Sequence, residues 1–339
     1  MTRLALTGDV MLGRGVAEAL ASGEIAHPWG DVLPVMQSQD GVLVNLECAL
    51  TRETERWRNG AEKAFYFRAD PSAARLLRTA GVRFAGLANN HAGDFGSKGL
   101  LETVATLDAV GIAHAGAGAD LAAASVPARI ELRGVRVSVI AFADHPVSWA
   151  AGGSIPGIRF FTPGDDAEDF EPIARAIAEA RRGADFVIFS SHWGPNMRLH
   201  PPALFRRFAR RVLDSGADLF WGHSAHVVQG IEIWQGKPIL YDTGDFVDDY
   251  AIDSELRNDL SALLLLDLED GAVRRLDLLP VQIRDRSVWI ARAAEREFFV
   301  KRMTELCAEL GTELEDRGEP EPVAVRLEAS AQLEHGGRQ

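Results

Sequence analysis

Arg83-Phe84-Ala85-Gly86-Leu87-Ala88-Asn89-Asn90-His91 joins an apolar run to two amides and an imidazole, and its reading decides the fold. The apolar part, Arg83–Leu87, suits a buried strand. Two asparagines and a histidine suit neither a strand nor a core. The strand must therefore stop there, and its carboxyl end carries the chemistry. The pattern recurs along the chain. Gly8-Asp9 follows Leu4-Ala5-Leu6-Thr7, and Asn45-Leu46-Glu47 follows Gly41-Val42-Leu43-Val44. His192-Trp193-Gly194 follows Phe186-Val187-Ile188-Phe189, and Gly222-His223-Ser224-Ala225-His226 follows Leu219-Phe220-Trp221. In open α/β sheets the ligand crevice lies beyond the carboxyl ends of the strands. Five such ends at one edge would bring Asp9 and His226 into one pocket. Asp, Glu, Asn and neutral His are the ligands divalent metals accept.

Working outward, the first half predicts strands at Arg3–Thr7, Gly41–Asn45, Arg83–Leu87, Arg129–Ala143, Asp185–Ser190 and Asp218–Trp221. Amphipathic stretches at Arg14–Ser22, Pro71–Ala80, Gly99–Val110, Pro172–Arg182 and Pro202–Ser215 predict helices between them. Proline in the first turn and glycine at the stop (Gly81, Gly111, Gly216) punctuate them. This alternation argues for a layered α/β fold. After Gly222 the texture turns to strands joined by short turns, at Gly230–Trp234, Lys237–Tyr241, Ser261–Leu268 and Ala272–Ile283, then a helix over Ala294–Leu310. A two-sheet sandwich with helices outside satisfies both halves. We expect one domain over residues 1–312 and a C-terminal extension over 313–339, disordered from about Gln332. Asn59–Ala64 and Ala150–Gly157 are candidate lids.

Of 339 residues, 47% are hydrophobic and 25% charged, which gives a globular chain enough apolar material for a sizeable core. The net charge of −13 argues against nucleic acid as a partner, since such a groove needs a basic face. No apolar run approaches the roughly 20 residues of a membrane span, and no leader pattern opens the chain, so we expect a cytoplasmic protein. Cys48 and Cys307 lack zinc-motif spacing and read as buried, reduced thiols. Nothing in the pattern sets an oligomeric state.

Each candidate has a plain structural alternative. Asp9 is a metal anchor or the N-cap of the Arg14 helix. Asn45 and Glu47 share one side of an extended chain, so Glu47 suits a bridging carboxylate or an edge salt bridge. Asn90 offers a carbonyl ligand and His91 an acid or base with Asp94 to orient it; the alternative is a turn capping the Gly99 helix. His192 is a ligand, a catalytic imidazole or a structural histidine. His223 and His226 together suit a metal. His27, His114, His145, His200 and His335 read as non-ligands, with His145 the nearest to an exception. Asp242 and Asp245 lie where a strand enters a glycine turn, and either orient a ligand histidine or hold a cationic substrate group. Arg14, Lys63 and Arg68 are cations placed to clamp a phosphate or carboxylate. No nucleophile elbow and no P-loop is present.

Taken in order, these motifs resemble the CapA-type family of capsule and poly-γ-glutamate biosynthesis proteins, within the calcineurin-like metallophosphoesterase superfamily. The residues are Gly8-Asp-Val-Met-Leu-Gly-Arg14, Val44-Asn-Leu-Glu47, Ala88-Asn-Asn-His-Ala-Gly-Asp94, His192-Trp-Gly194, Gly222-His-Ser-Ala-His-Val-Val-Gln-Gly-Ile-Glu232 and Ile239-Leu-Tyr-Asp-Thr-Gly-Asp-Phe246. The resemblance implies a four-layer α/β/β/α sandwich, metallophosphatase-like, with mixed sheets. It implies one or two divalent metals (Mn, Zn, Fe, Mg or Ca) held by Asp9, Glu47, Asn90, His192, His223 and His226, with His91 as acid/base. Three positions depart from the superfamily pattern: Met11 stands where a histidine is usual, Glu47 where an aspartate is usual, and the last two histidines are three apart rather than two. The activity implied is hydrolysis of a phosphoester or a γ-glutamyl or peptide amide through a metal-bound water, on an anionic or peptide substrate. The alternatives are a metal-assisted peptide epimerase, with proton exchange at Cα, and a non-catalytic subunit of capsule or poly-γ-glutamate biosynthesis.

Overall fold

The computed structural model describes residues 1–24, 26–58 and 63–328. Two sheets lie face to face. The first runs in the order Leu314–Glu315, Val323–Val325, Ala272–Arg284, Leu260–Glu269, Thr2–Val10, Gly41–Leu46, Val82–Gly86, Ala113–Ala115. Asp245–Val247 also pairs with Thr2–Val10, and Ser287–Ile290 with Ala272–Arg284. The second runs Ile231–Trp234, Lys237–Leu240, Leu219–His223, Phe186–His192, Val135–Ala143, Ala128–Leu132. Both are mixed: the strands that carry the motifs pair in parallel with one another and with Ala113–Ala115, Val135–Ala143, Lys237–Leu240 and Asp245–Val247, and the remaining pairings are antiparallel.

Strand alternation builds the layers. Phe186 and Ile188 join Leu4, Leu6, Val42, Val137, Leu219 and Trp221 in the core between the sheets. Val187 and Phe189 point the other way, into a second core with Phe170, Ile173, Ile177, Phe208 and Val212 of the helices Ala167–Arg181 and Ala203–Asp214. A strand buried on both faces has no polar side, which is why this one reads as an unbroken apolar run. Helices Ala74–Thr79 and Gly96–Val110 cover the first sheet, and Ala293–Ala308 packs beside its antiparallel strands. The result is the expected four-layer α/β/β/α sandwich.

Two elements differ from the sequence reading. Arg129–Ala143 is a hairpin, not one strand: Arg133 and Gly134 both take positive φ, which is the geometry of a tight primed turn. The helix expected from Pro172 begins at Ala167, where Glu168 and Asp169 occupy its first turn and complement the helix dipole. Within the C-terminal extension, Leu314–Glu315 and Val323–Val325 add to the first sheet. Of the Asn59–Ala64 segment only Lys63 and Ala64 lie within the described residues, and the stretch from Gln332 lies outside them. Cys48 and Cys307 are free and buried; burial pushes both thiols up to about 12, and each sulfur accepts a backbone N–H.

The motif strands are held where two backbones nearly touch. A Cβ on Gly222 would stand 1.9 Å from the Tyr241 carbonyl oxygen, and one on Gly8 would stand 2.2 Å from that of Gly244. Gly222→Ala should therefore cost about 3 kcal/mol or more in denaturant unfolding, because backbone rather than a flexible side chain must move. Gly153→Ala, where a Cβ meets nothing within 4 Å, should stay within about 0.5 kcal/mol.

Candidate metal centre

Asp9 ends the first strand with a parallel neighbour on each side, in register with Asn45 and with Asp245. Its Oδ1 accepts from Asn45 Nδ2 at 2.7 Å and lies 3.2 Å from His223 Nδ1. Asn45 reaches on to His192 Nδ1 at 3.2 Å and accepts from Asn89 Nδ2 at 3.2 Å. Asn89 shapes the next turn: its Oδ1 accepts from His91 N and Ala92 N, and its Nδ2 donates to Leu46 O. In the second sheet His192 and His223 are register partners on adjacent parallel strands. Beyond them Ser224 and His226 hold positive φ, an uncommon conformation for residues with a Cβ. It turns the His226 ring toward Asp245, with Nδ1 2.8 Å from Oδ1.

This geometry removes the helix-cap and salt-bridge alternatives. Helix Arg14–Ser22 is capped by Gly13 and helix Gly96–Val110 by Phe95, neither with a side-chain bond, so Asp9, Asn89 and Asn90 are not helix caps. Glu47 is fully buried, and among the described residues no Lys or Arg pairs with it. It accepts from Tyr250 Oη at 3.1 Å, and its Oε1 stands 3.9 Å from His91 Nε2 and 4.0 Å from His192 Nε2.

Asp9 Oδ2, Glu47 Oε1, Asn90 Oδ1, His192 Nε2, His223 Nε2 and Asp245 Oδ2 are all buried with no hydrogen-bond partner among the described residues. Orphaned buried polar atoms cost roughly 1–3 kcal/mol each, more when charged. Gathered here, carboxylate and amide oxygens beside two imidazole rings, they match the donor set of a divalent cation. One ligand atom each from Asp9, Glu47, His226 and Asp245 lies within 4.8 Å of the others. The residues present fit a metal.

Electrostatics agree. Burial, then the charge of Asp9, pushes the Glu47 carboxyl well above its ordinary range. Burial raises Asp245 to about 6 and, with Asp9, raises Asp242 well above the usual carboxylate value. Burial also raises Asp9, but the His223 contact and the nearby imidazoles overcome it and keep that group ionised. Burial drives His192 well below its ordinary value and His91 down to about 4 despite Asp94, leaving both neutral at pH 7, the form that ligates or accepts a proton. Burial should lower His226 too, yet Asp245, Glu47 and Asp9 carry it well above. Carboxylates able to hold a proton against burial would hold a divalent cation in the same place.

A cavity of about 560 Å³ opens above this floor, lined by Arg14, Lys63, Phe65, Phe67, Asn196 and Tyr250 among others, with Asn90, His91 and His226 at its base. Asp94 sits beneath His91, its Oδ2 2.7 Å from Nδ1, and also receives Phe67 N and Lys63 Nζ at 2.6 and 2.5 Å. Phe67 stacks on His91 at 3.8 Å between centroids. Arg14 lines the mouth, against Asp249 and over Phe65 and Phe67. Two expected substrate residues lie elsewhere. Arg68 is absent from the lining, because its guanidinium donates to Glu53 O and lies over Phe95. Asp245 is 1% exposed beneath His226, out of a substrate's reach. His145 pairs with Asp144 near the His192 ring, while His114 and His200 meet acids elsewhere; His335 lies outside the described residues. Sequence reasoning passed over Tyr250 and Phe67, and aromatic residues at core-like positions give no signal of their own.

Fold and pocket together define a class: a four-layer α/β sandwich whose strand ends bury a cluster of carboxylate, amide and imidazole side chains. A family model described as bacterial capsule synthesis protein PGA_cap matches residues 3–250. A probable polyglutamine synthesis accessory protein of Mycobacterium tuberculosis is 34% identical over 323 residues, covering 82% of this chain and 84% of that one. The capsule biosynthesis protein CapA of Bacillus anthracis is 28% identical, covering 84% and 68%. The PGA biosynthesis protein CapA of Bacillus subtilis is 29% identical, covering 82% and 70%. The chain belongs to this CapA-type family of bacterial capsule synthesis proteins. Among solved structures it is similar to TT1561 of Thermus thermophilus, with TM-score 0.41 and 13% identity, covering 80% of this chain and 97% of that one. No helix among the described residues is long and apolar enough to cross a membrane.

Proposed function

We propose that the protein is a metal-dependent hydrolase, cleaving a phosphoester or a γ-glutamyl or peptide amide in capsule or poly-γ-glutamate metabolism. The observation that carries this is the convergence of orphaned donor atoms from Asp9, Glu47, Asn90, His192 and His223 beneath a pocket whose base holds the His91–Asp94 pair. When bound, a divalent cation supplies Lewis acidity and lowers the pKa of water at the site. Asp94 accepts from His91 Nδ1–H, which leaves Nε2 as the acceptor facing the pocket. His91, neutral at rest, takes a proton at Nε2 and returns it to the departing group, and Asp94 stabilises the imidazolium formed between. Lys63, held by Asp94 and the Asn90 carbonyl, and Arg14 at the mouth bring positive charge to an anionic substrate. Tyr250 and Phe67 form an apolar wall that excludes water from one side.

The test is His91→Gln. We expect kcat on a cleaved phosphoester or γ-glutamyl substrate to fall about 10²–10⁴-fold with bound metal unchanged. Unchanged turnover would remove His91 from the reaction. One further observation favours a second reading: His91 and His226 line the same pocket, and proton removal and return at Cα needs two such groups. Deuterium uptake at a peptide Cα in heavy water, with no bond cleaved, would select epimerisation.

A further inference from the structure

We propose that Asp245 is itself a metal ligand and, with Asp9, Glu47 and His226, builds one cation position. A second position then lies on the far side of Glu47, toward His192, His223 and Asn90. This rests on the metal-dependent reading above and goes beyond it in number and in ligand set. The strand Asp245–Val247 buries Phe246 and Val247 in the core, runs parallel to the first strand and sets Asp245 in register with Asp9. The Asp245 side chain is 1% exposed, and its Oδ2 has no partner among the described residues. Its Oδ1 stands 2.8 Å from His226 Nδ1, close to the roughly 3 Å between adjacent ligands about 2.1 Å from one ion. With Asp9 and Glu47 these two residues place four ligand atoms within 4.8 Å of one another.

The other donors do not belong to that group. Glu47 Oε1 and His192 Nε2 are both orphaned and 4.0 Å apart. His223 Nε2 and Asn90 Oδ1 are orphaned as well and remain available to this second position. Glu47, grouped with Asp9, His226 and Asp245 and with its Oε1 also 4.0 Å from His192 Nε2, is the shared carboxylate. Met11 cannot supply a ligand to the first position: it is buried in the core, and its sulfur accepts from Gly13 N. Asp245 fills that gap from a strand that arrives more than two hundred residues later in the chain.

The experiment is metal counting by mass spectrometry, with electron paramagnetic resonance after loading with Mn²⁺, on wild type, Asp245→Asn and Asp245→Ala. We expect about two equivalents and a spin-coupled pair in the wild type. In both variants we expect about one equivalent and an isolated-ion signal, with circular dichroism unchanged. Two equivalents retained in both folded variants would overturn the assignment and leave Asp245 as a group that orients His226. One equivalent in the wild type, unchanged in the variants, would overturn it as well. No metal in the wild type would instead defeat the hydrolase reading itself. Asp245→Asn keeps the size of the side chain and one acceptor oxygen, so loss of metal in it cannot be assigned to unfolding when the spectrum is native.

Discussion

His223→Ala/His226→Ala protein should carry less than a tenth of the divalent metal found in the wild type purified beside it, and its turnover should fall to background. Removing a group that only orients a ligand costs about 10–100-fold in metal affinity. Deleting two imidazoles from the floor of the pocket should exceed about 10³-fold. The two are not redundant. His223 stands at the end of a strand, in register with His192 and 3.2 Å from Asp9. His226 stands beyond a turn, against Asp245. Their loss therefore opens the floor on two sides. Inductively coupled plasma mass spectrometry reads the result directly. Equal metal in both proteins would mean that the carboxylates suffice and that the histidines are structural. No metal in either, after incubation with manganese, zinc and calcium, would sink both metal-dependent readings and favour a non-catalytic role in capsule synthesis.

Glu47→Gln should stabilise the metal-free protein at pH 7–8 and destabilise the metal-loaded one. Burial and the charge of Asp9 raise the Glu47 carboxyl in the folded state, so ionising it costs more there than in the unfolded chain. For a carboxylate with a raised folded pKa, stability present at low pH is lost as pH climbs above the unfolded value near 4.5. The loss is about 1.4 kcal/mol per pH unit until the folded pKa is reached. Glutamine has no such loss, so its advantage after chelation should grow from about pH 4.5 upward. By neutral pH it should appear as a Tm above that of the wild type. With metal bound the sign reverses, because the amide removes a negative ligand. Saturating metal at about 100 times Kd adds about 2.7 kcal/mol to the wild type, a gain the variant should lack. Thermal melts of both proteins over pH 5–8, with metal and with chelator, check the crossing. A Glu47→Gln protein less stable than the wild type under chelator at pH 8 would show that Glu47 is not ionised against its surroundings.

Much of this was legible before any fold was known, and unevenly so. His223 and His226 read as ligands because polar residues do not end an apolar strand without cause, and that local contrast survives in one dimension. Asp94 read as the partner of His91 because three residues of turn bring them together. Arg68 misled because a cation's neighbours are set by chain direction after a loop: here Glu53 O and Phe95 claim it. Asp245 reads from its stretch, Tyr241 to Tyr250, as either an orienter of a ligand histidine or a holder of a cationic substrate group; only the strand pairing with Thr2–Val10 shows that it is buried, against His226. The Arg133-Gly134 turn went unseen because arginine is an unusual residue for a positive φ, so the hairpin looked like one long strand.

The sequence by itself determined the layered α/β architecture, since alternation of apolar runs and amphipathic helices leaves few ways to bury both. It also determined which side chains end the strands, because strand ends are marked by local composition. Tertiary structure alone decided which of those side chains share an ion's reach. The Asp9–Asn45 and Asp9–Asp245 registers, the His192–His223 pairing and the 4.0 Å gap between Glu47 and His192 all depend on sheet pairing between segments far apart in the chain. Distances of that order follow from backbone hydrogen bonds and packing across two sheets, and no spacing along the chain encodes them.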